Sequence, residues 1–212
     1  MKGKKRLDFI LVFAVLALVG IGIVMVYSTS AIIAGDRLGD PYYFLKRQAL
    51  YAAVGFVLMT IMMLFPYERL KRLAYPILIV SVLSLVAVLI PGIGHRAGGA
   101  MRWLKIQFFS FQPSEFAKYA LLFHLCALVA VKRELIRNFK TGFLPLMIWI
   151  GAVTGLVLLQ PNFSTGAMIV IITFIMLFVG HAKFSHIAAA VGAALPLLIG
   201  YMLSADYRRA RI

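Results

Sequence analysis

Acidic residues and cysteine are scarce in this sequence, and each shortage excludes a class of protein. The 212 residues include one cysteine and seven acidic residues, and charged residues make up 14% of the total. The single cysteine, Cys126, permits no internal disulfide and no cage of cysteines around a metal ion. Soluble domains carry roughly 25% charged residues, so this composition excludes an ordinary water-soluble fold.

Long apolar runs occupy most of the chain. Hydrophobic residues make up 63% of it, and apolar runs of about 17 residues or more recur, each long enough to cross the hydrocarbon core of a bilayer. This pattern predicts an all-α fold, a polytopic transmembrane helical bundle of about seven helices that forms a single domain over residues 1–212. The predicted helices cover residues 9–26, 48–65, 74–90, 114–131, 142–159, 164–179 and 187–205.

The net charge of +15 is distributed in a way that argues against nucleic acid as the partner. The basic residues stand in short clusters between apolar runs, where they orient helices and meet anionic membrane lipids. A cytoplasmic N-terminus puts about 12 basic residues on the inner side and about 10 on the outer side. Most of the outer ones fall within residues 96–118 and 208–211. Orientation alone does not explain them there, so we expect an anionic ligand on that side.

Residues 94–118 hold the densest group of charged and aromatic side chains between two apolar runs. Arg102 and Lys105 are three residues apart, with Trp103 between them, a spacing that favours a short amphipathic helix in the membrane interface. A planar guanidinium suits phosphate, so Arg102 is assigned to a pyrophosphate contact. The alternative is that this segment only anchors the chain, through an aromatic belt and an arginine that extends to the interface.

The sequence FQPSEFAK (111–118) predicts the start of the fourth helix. Pro113 suits the first helical position, Glu115 lies in the first turn, where a carboxylate is favourable, and Lys118 shares its face. The two charges form either a structural ion pair, with Lys118 extending outward, or a pair that lines a water-filled cavity. A second Gln-Pro pair follows the fifth helix. The residues assigned to this structural or cavity role are Trp103, Gln112, Pro113, Ser114, Glu115, Gln160 and Pro161.

No catalytic constellation is complete within the chain. The four histidines, at positions 95, 124, 181 and 186, lack metal-ligand spacing, and no serine stands in a nucleophile elbow. Glu115 is committed to Lys118, so no general base stands out. The residues therefore predict an anion-binding surface, no metal site and no evident cofactor, although a divalent cation could assist a leaving group.

Several segments resemble those of the SEDS family (shape, elongation, division and sporulation). They are GAMRWL (99–104), FQPSEFAK (111–118), LLQPNFSTGA (158–167), the run MLFVGHAK that ends at 183, and YRRARI at 207–212. Their order and spacing extend over nearly the whole chain. The ending DYRRARI is more similar to the division branch of the family than to the elongation branch. Residues 162–164 read Asn-Phe-Ser where the family more usually has Asp-Leu-Gly.

The resemblance implies a peptidoglycan glycosyltransferase that polymerises lipid II, the undecaprenyl-pyrophosphate-linked precursor, at the outer face of the bacterial cytoplasmic membrane during septal cell-wall synthesis. It also implies partners, a class B penicillin-binding protein and other divisome proteins. The family's proposed catalytic aspartate lies in a large outer loop, which would follow Ile212. The chain thus resembles the N-terminal seven helices of that fold and is expected to be inactive alone. The side chains expected to hold the pyrophosphate are Arg102, Lys105, Lys118, Arg208, Arg209 and Arg211.

Two other functions stay open from the residues alone. A flippase or transporter for the lipid-linked precursor needs charges that face a central path, and only Glu115 and Lys118 qualify, both near one rim. A non-enzymatic divisome scaffold needs only a protein-binding surface. Translocation of the precursor without polymerisation would favour the first, and partner binding without affinity for lipid II would favour the second.

The outer position of the cationic segments predicts a labelling pattern. In a Cys126→Ala background, Arg102→Cys and Tyr207→Cys should react with a membrane-impermeant thiol reagent added outside intact cells. Lys71→Cys, in the basic connection before the third helix, is the control and should react only after the membrane is opened. If positions 102 and 207 follow the control, the cationic segments face the cytosol and the predicted pyrophosphate site fails.

Overall fold

A computed structural model of the chain describes residues 8–97, 100–106 and 109–203. Within these residues the predicted all-α architecture with seven helices is confirmed. The helices are α1 (Phe9–Leu38), α2 (Tyr43–Leu64), α3 (Tyr67–Leu89), α4 (Pro113–Lys132), α5 (Leu144–Leu159), α6 (Phe163–Val179) and α7 (Phe184–Leu203). In the described chain six helical stretches are long and apolar enough to cross a membrane, and α6 is a shorter apolar helix of 17 residues. The chain is a multi-pass membrane protein.

The first helix is longer than its apolar run. It was predicted to end at Val26, before a group of small polar residues, but α1 continues to Leu38. The reason is that the hydroxyls of Thr29 and Ser30 donate to backbone carbonyls one turn earlier, at 2.8 and 2.6 Å. A hydroxyl satisfied in this way does not compete with the helix. The helix ends at Gly39, whose positive φ of 71° suits a glycine C-cap.

The chain divides into two compact units, and the first, residues 1–66, contains α1 and α2 packed as a helical hairpin. Tyr27 and Tyr42 stack with ring centroids 5.6 Å apart. In the connection, the Lys46 ammonium donates to the Asp40 carboxylate at 2.9 Å and thereby holds the pKa of Asp40 below its usual value. At pH values above the ordinary carboxyl pKa, this contact stabilises the connection. The stabilisation is lost as pH falls through the lowered pKa of Asp40.

The second unit, residues 67–212, contains α3 to α7 and a single apolar core. Buried positions recur every three or four residues along α3 and α4, as expected for one helix face packed against another. The opposite face of α3 stays exposed, which suits contact with lipid. The principal core side chains are Leu78, Leu85, Leu121, Leu125, Leu146, Val153, Val157 and Leu177.

The segment between α3 and α4 is an antiparallel sheet and not the predicted amphipathic helix. Its strands are β1 (Gly94–Ala97), β2 (Ala100–Ile106) and β3 (Phe109–Phe111), in the order β1-β2-β3. His95 pairs with Trp103 and Lys105 pairs with Ser110. Successive side chains in a strand point to opposite faces. The helical prediction was therefore wrong, and residues three apart do not share a face here.

The connection between α4 and α5 is compact. It consists of a 3₁₀ helix, Arg133–Arg137, and a π-helical turn, Phe139–Phe143. The Asn138 side chain caps the second, since its Oδ1 accepts from two backbone N–H groups. Gly142 is buried here, and a Cβ at that position would lie 1.9 Å from the carbonyl oxygen of Leu135. Only glycine fits against that backbone.

This close approach predicts a large effect from one methyl group. Gly142→Ala should lower the unfolding free energy by roughly 1–3 kcal/mol, as overpacking does, because the obstructing atoms belong to the backbone. Gly192→Ala in α7 is the matched control, since nothing lies within 4 Å of a Cβ there. Thermal unfolding in detergent measures both. Equal midpoints for the two variants would contradict the tight packing of this connection.

Candidate functional site

The two Gln-Pro segments lie against each other in the structure. Gln112 and Pro113 lead into α4, and α4 begins at Pro113 as predicted. Asn162 follows the second Gln-Pro pair and precedes α6. Its Nδ2 donates to Oγ of Ser114 at 3.0 Å, and both side chains are buried. This hydrogen bond joins the starts of α4 and α6 into one polar end of the second unit, which we call the Gln-Pro end.

Gln160 ties this end to α3. It is 1% exposed, and its Nε2 donates to the carbonyl of Leu85 at 3.0 Å. Within the described residues its Oε1 has no hydrogen-bond partner. A buried amide with one unpaired oxygen is costly unless water or a ligand reaches it. The residue thus has both a structural contact and a spare acceptor.

Arg102 fastens the sheet to the same turn. Its Nε donates to the carbonyl of Gln160 at 3.2 Å, and a terminal N–H donates to the carbonyl of Pro161. A guanidinium has five N–H donors, so within the described chain three have no acceptor. The predicted phosphate contact of Arg102 stays a prediction. The structure adds a positioning role that the sequence did not suggest.

Lys105 lies apart from Arg102. Both are on β2, three residues apart, so they occupy opposite faces of the strand. Lys105 is exposed, whereas Arg102 is partly buried against the turn. The predicted basic face shared by the two residues is therefore wrong, although both belong to the segment beside the Gln-Pro end. Trp103, between them, is partly buried.

The ion pair between Glu115 and Lys118 is confirmed. The Lys118 ammonium donates to Oε2 of Glu115 at 2.7 Å, and Thr165 donates to Oε1 at 3.4 Å. The two partners differ in exposure, because the Lys118 side chain is 8% exposed and that of Glu115 is 47% exposed. Lys118 therefore does not extend outward. Glu115 is the member of the pair that meets solvent.

Two functional positions were missed in the sequence. Asn162 and Thr165 contribute the hydrogen bonds that join α6 to α4. In the sequence alone, both resemble ordinary residues at a helix start. Their position at the start of a helix that follows a Gln-Pro pair was the available signal. Their partners lie 48 and 50 residues earlier, which local spacing cannot reveal. The predicted site residues Arg208, Arg209 and Arg211 lie outside the described residues.

The chemistry available at the Gln-Pro end is electrostatic. Arg102 and Lys118 supply two positive charges, and Glu115 supplies one negative charge. Lys105 adds a third positive charge on the opposite face of β2. The backbone N–H groups at the starts of α4 and α6 add partial positive charge. Glu115 already accepts from Lys118 and Thr165, so as a base it would first have to give up these contacts. The arrangement can bind and neutralise an anion.

Known proteins share this architecture over nearly the whole chain. A family model described as cell cycle protein, covering FtsW, RodA and SpoVE, matches residues 9–212. The chain is 39% identical to the probable peptidoglycan glycosyltransferase FtsW of Trichlorobacter lovleyi over 97% of its own length and 54% of that protein's. It is 34% identical to stage V sporulation protein E of Bacillus subtilis, with coverages of 97% and 56%. The chain spans just over half the length of these relatives.

Solved structures agree with the helical architecture. One solved chain belongs to a peptidoglycan synthase complex that is described as coordinating polymerization and crosslinking. It matches with a TM-score of 0.75 and 30% identity. That match covers 98% of this chain and 58% of the other. The rod shape determining protein RodA of Thermus thermophilus matches with a TM-score of 0.68 and 28% identity, covering 92% and 60%.

The unequal burial of the ion pair predicts unequal effects of its removal. Glu115→Gln leaves a buried ammonium without its carboxylate and should lower the unfolding free energy by about 3 kcal/mol. Lys118→Met leaves only Glu115, which solvent reaches, and should cost about 1 kcal/mol or less. Thermal unfolding in detergent measures the difference.

The double variant E115Q/K118M is the control for this pair. Its unfolding free energy should be close to that of K118M, because neither variant retains the buried ammonium. Equal losses in the two single variants would mean that the buried ammonium of Lys118 does not govern the energetics of the pair.

Proposed function

The chain belongs to the cell cycle protein family of FtsW, RodA and SpoVE, and from this membership we propose that it acts as a peptidoglycan glycosyltransferase in septal cell-wall synthesis. The name of the relative from Trichlorobacter lovleyi supports this activity. Within the chain, the observation that supports this activity is the arrangement of charged side chains at the Gln-Pro end. There a buried lysine is paired with a half-exposed glutamate, and Arg102 binds the adjoining turn.

The proposed substrate is lipid II at the outer face of the bacterial cytoplasmic membrane. With a cytoplasmic N-terminus, each helix crosses in turn, and the starts of α4 and α6 then face outward. The Gln-Pro end would meet a substrate whose pyrophosphate lies at that membrane surface. Its polyprenyl chain would remain in the bilayer against the exposed apolar side chains of the helices.

The proposed step is transfer of a glycan to a sugar hydroxyl. The acceptor's 4-hydroxyl attacks the anomeric carbon of the donor, its proton goes to a carboxylate base, and the bond to undecaprenyl pyrophosphate breaks. Negative charge develops on the departing pyrophosphate, and fixed cations stabilise it. We propose Lys105 and the three unengaged N–H groups of Arg102 for this role, with Lys118 and the arginines at 208, 209 and 211 as further proposed contacts.

The proposed base lies outside these 212 residues. We propose, from the family resemblance, that this base is an aspartate in a loop that would follow Ile212. Glu115 is a poor substitute, because its oxygens accept from Lys118 and Thr165 at 2.7 and 3.4 Å. The described chain therefore supplies binding and charge stabilisation in this proposal and leaves proton abstraction to that aspartate.

A divalent cation does not fit the described residues of this site. No three His, Cys, Asp or Glu side chains come together anywhere in the described chain, and Glu115 is already neutralised by Lys118. The proposed mechanism therefore assigns no step to a metal ion, and the positive charge that it uses comes from the cationic side chains.

The proposed partner is a class B penicillin-binding protein, with other divisome proteins around it. Similarity to a chain of a peptidoglycan synthase complex supports a partner of this kind. The flippase alternative is less well supported, because the described intramembrane charges, Glu115 and Lys118, sit together at one end of α4 and do not line a path through the bundle.

Lys105 offers the sharpest test of substrate binding. It is exposed and has no hydrogen-bond or ion-pair partner within the described chain, so its removal should not disturb folding. In polymerisation of fluorescent lipid II by the protein at its full natural length with its partner, Lys105→Ala should raise KM about tenfold. That is the scale of one lost hydrogen bond to a charged group.

Two further variants complete the experiment. Lys71→Ala, at the opposite end of α3 from the sheet, removes an exposed lysine and should leave KM unchanged. Arg102→Ala should abolish turnover and also lower thermal stability, since it frees the turn at 160–161. An unchanged KM in Lys105→Ala would remove that residue from the site. Translocation of lipid II without polymer would replace the glycosyltransferase proposal with the transporter.

A further inference from the structure

A large cavity opens at the end of the second unit opposite the Gln-Pro end. Its volume is about 1340 Å³, larger than the roughly 300–1,000 Å³ of typical small-molecule sites. It lies among the last turns of α4 and α6, the 3₁₀ helix and the first turn of α7. The charged side chains that line it are Glu134, Arg137 and Lys183, together with His181.

The cations in this cavity are available to a ligand. Within the described chain, neither Arg137 nor Lys183 forms an ion pair or a side-chain hydrogen bond, and both are exposed. Glu134 provides the one carboxylate of the lining, so the lining has a net positive charge. Ser185, also in the lining, lies in the first turn of α7, where backbone N–H groups lack intrahelical acceptors. The polar part of the cavity therefore favours an anion.

Part of the lining is apolar and exposed. Phe178 and Val179 at the end of α6 are 62% and 69% exposed, and Phe184 at the start of α7 is 71% exposed. These side chains stand next to the free cations. A soluble phosphate compound would leave these apolar side chains exposed, whereas the hydrocarbon chains of an amphiphile would cover them. Basic pockets between transmembrane helices commonly hold the headgroups of anionic lipids.

We propose that this cavity binds the phosphate headgroup of an anionic membrane phospholipid, with the acyl chains against Phe178, Val179 and Phe184. The shared recognition chemistry is a phosphodiester held by Arg137 and Lys183. The site lies at the far end of α4 and α6 from the Gln-Pro end, and it does not depend on the proposed glycosyltransferase activity. A bound lipid would link three elements, the 3₁₀ helix, the turn at 180–183 and α7.

Native mass spectrometry of the purified chain tests the proposal. Phosphatidylglycerol and phosphatidylcholine are titrated in detergent, and one phosphatidylglycerol should bind saturably and in preference. The double variant R137Q/K183Q should weaken this binding on the order of tenfold or more, since each basic side chain near an anionic lipid contributes roughly fivefold. The double variant K71Q/K140Q removes two lysines that do not line the cavity and should bind like the unaltered chain.

A variant that is expected to bind the lipid more tightly controls for misfolding. Glu134→Gln removes the carboxylate from the lining and should tighten phosphatidylglycerol binding severalfold, an effect that a damaged fold would not produce. Undiminished binding by R137Q/K183Q, or no gain in E134Q, would overturn the site. If inorganic phosphate alone binds as tightly as phosphatidylglycerol and with the same dependence on Arg137 and Lys183, the ligand is a soluble phosphate compound and the lipid assignment is overturned.

Discussion

The turn between α5 and α6 carries backbone carbonyls into the interior of a membrane protein, where they require hydrogen-bond donors from protein or water. Arg102 supplies donors for the carbonyls of Gln160 and Pro161, from a strand 58 residues earlier. The Gln160 side chain donates to the carbonyl of Leu85, and the Asn162 side chain donates to Oγ of Ser114. One irregular turn is thereby tied to the sheet, to α3 and to α4. The geometry of the Gln-Pro end depends on these few bonds.

The same bonds determine how Lys118 is held. Asn162 fixes the start of α6 against the start of α4, and this brings Thr165 to the carboxylate of Glu115. With one oxygen held by Thr165, Glu115 presents the other to the buried ammonium of Lys118. A lysine within a membrane helix is costly when unpaired, so the pair requires this support. A charged residue is thus kept inside the bundle with its partner open to solvent.

The sequence was informative wherever a property depends on neighbouring residues. Apolar runs located all seven helices, and Pro113 marked the start of α4, with the Glu115–Lys118 pair following from their spacing. The sequence was misleading for residues 94–111, because the spacing of Arg102 and Lys105 favours a helix locally, whereas strand pairing is a long-range property. The contacts of Arg102 and Asn162 cross about 50 residues or more. No local pattern encodes such distances.

The hydrogen bonds divide the basic residues of the described chain into two kinds. Arg102 and Lys118 have acceptors within the chain, and Lys132 likewise donates to the carbonyl of Thr141. These residues contribute first to structure. Within the described chain Lys105, Arg137 and Lys183 have no such acceptor. An unpaired cation beside a bilayer attracts anions within about a Debye length. A charge needed only for orientation could lie anywhere in a connection. Arg137 and Lys183 instead lie together in the cavity opposite the Gln-Pro end, so their positions fit anion binding better than orientation alone.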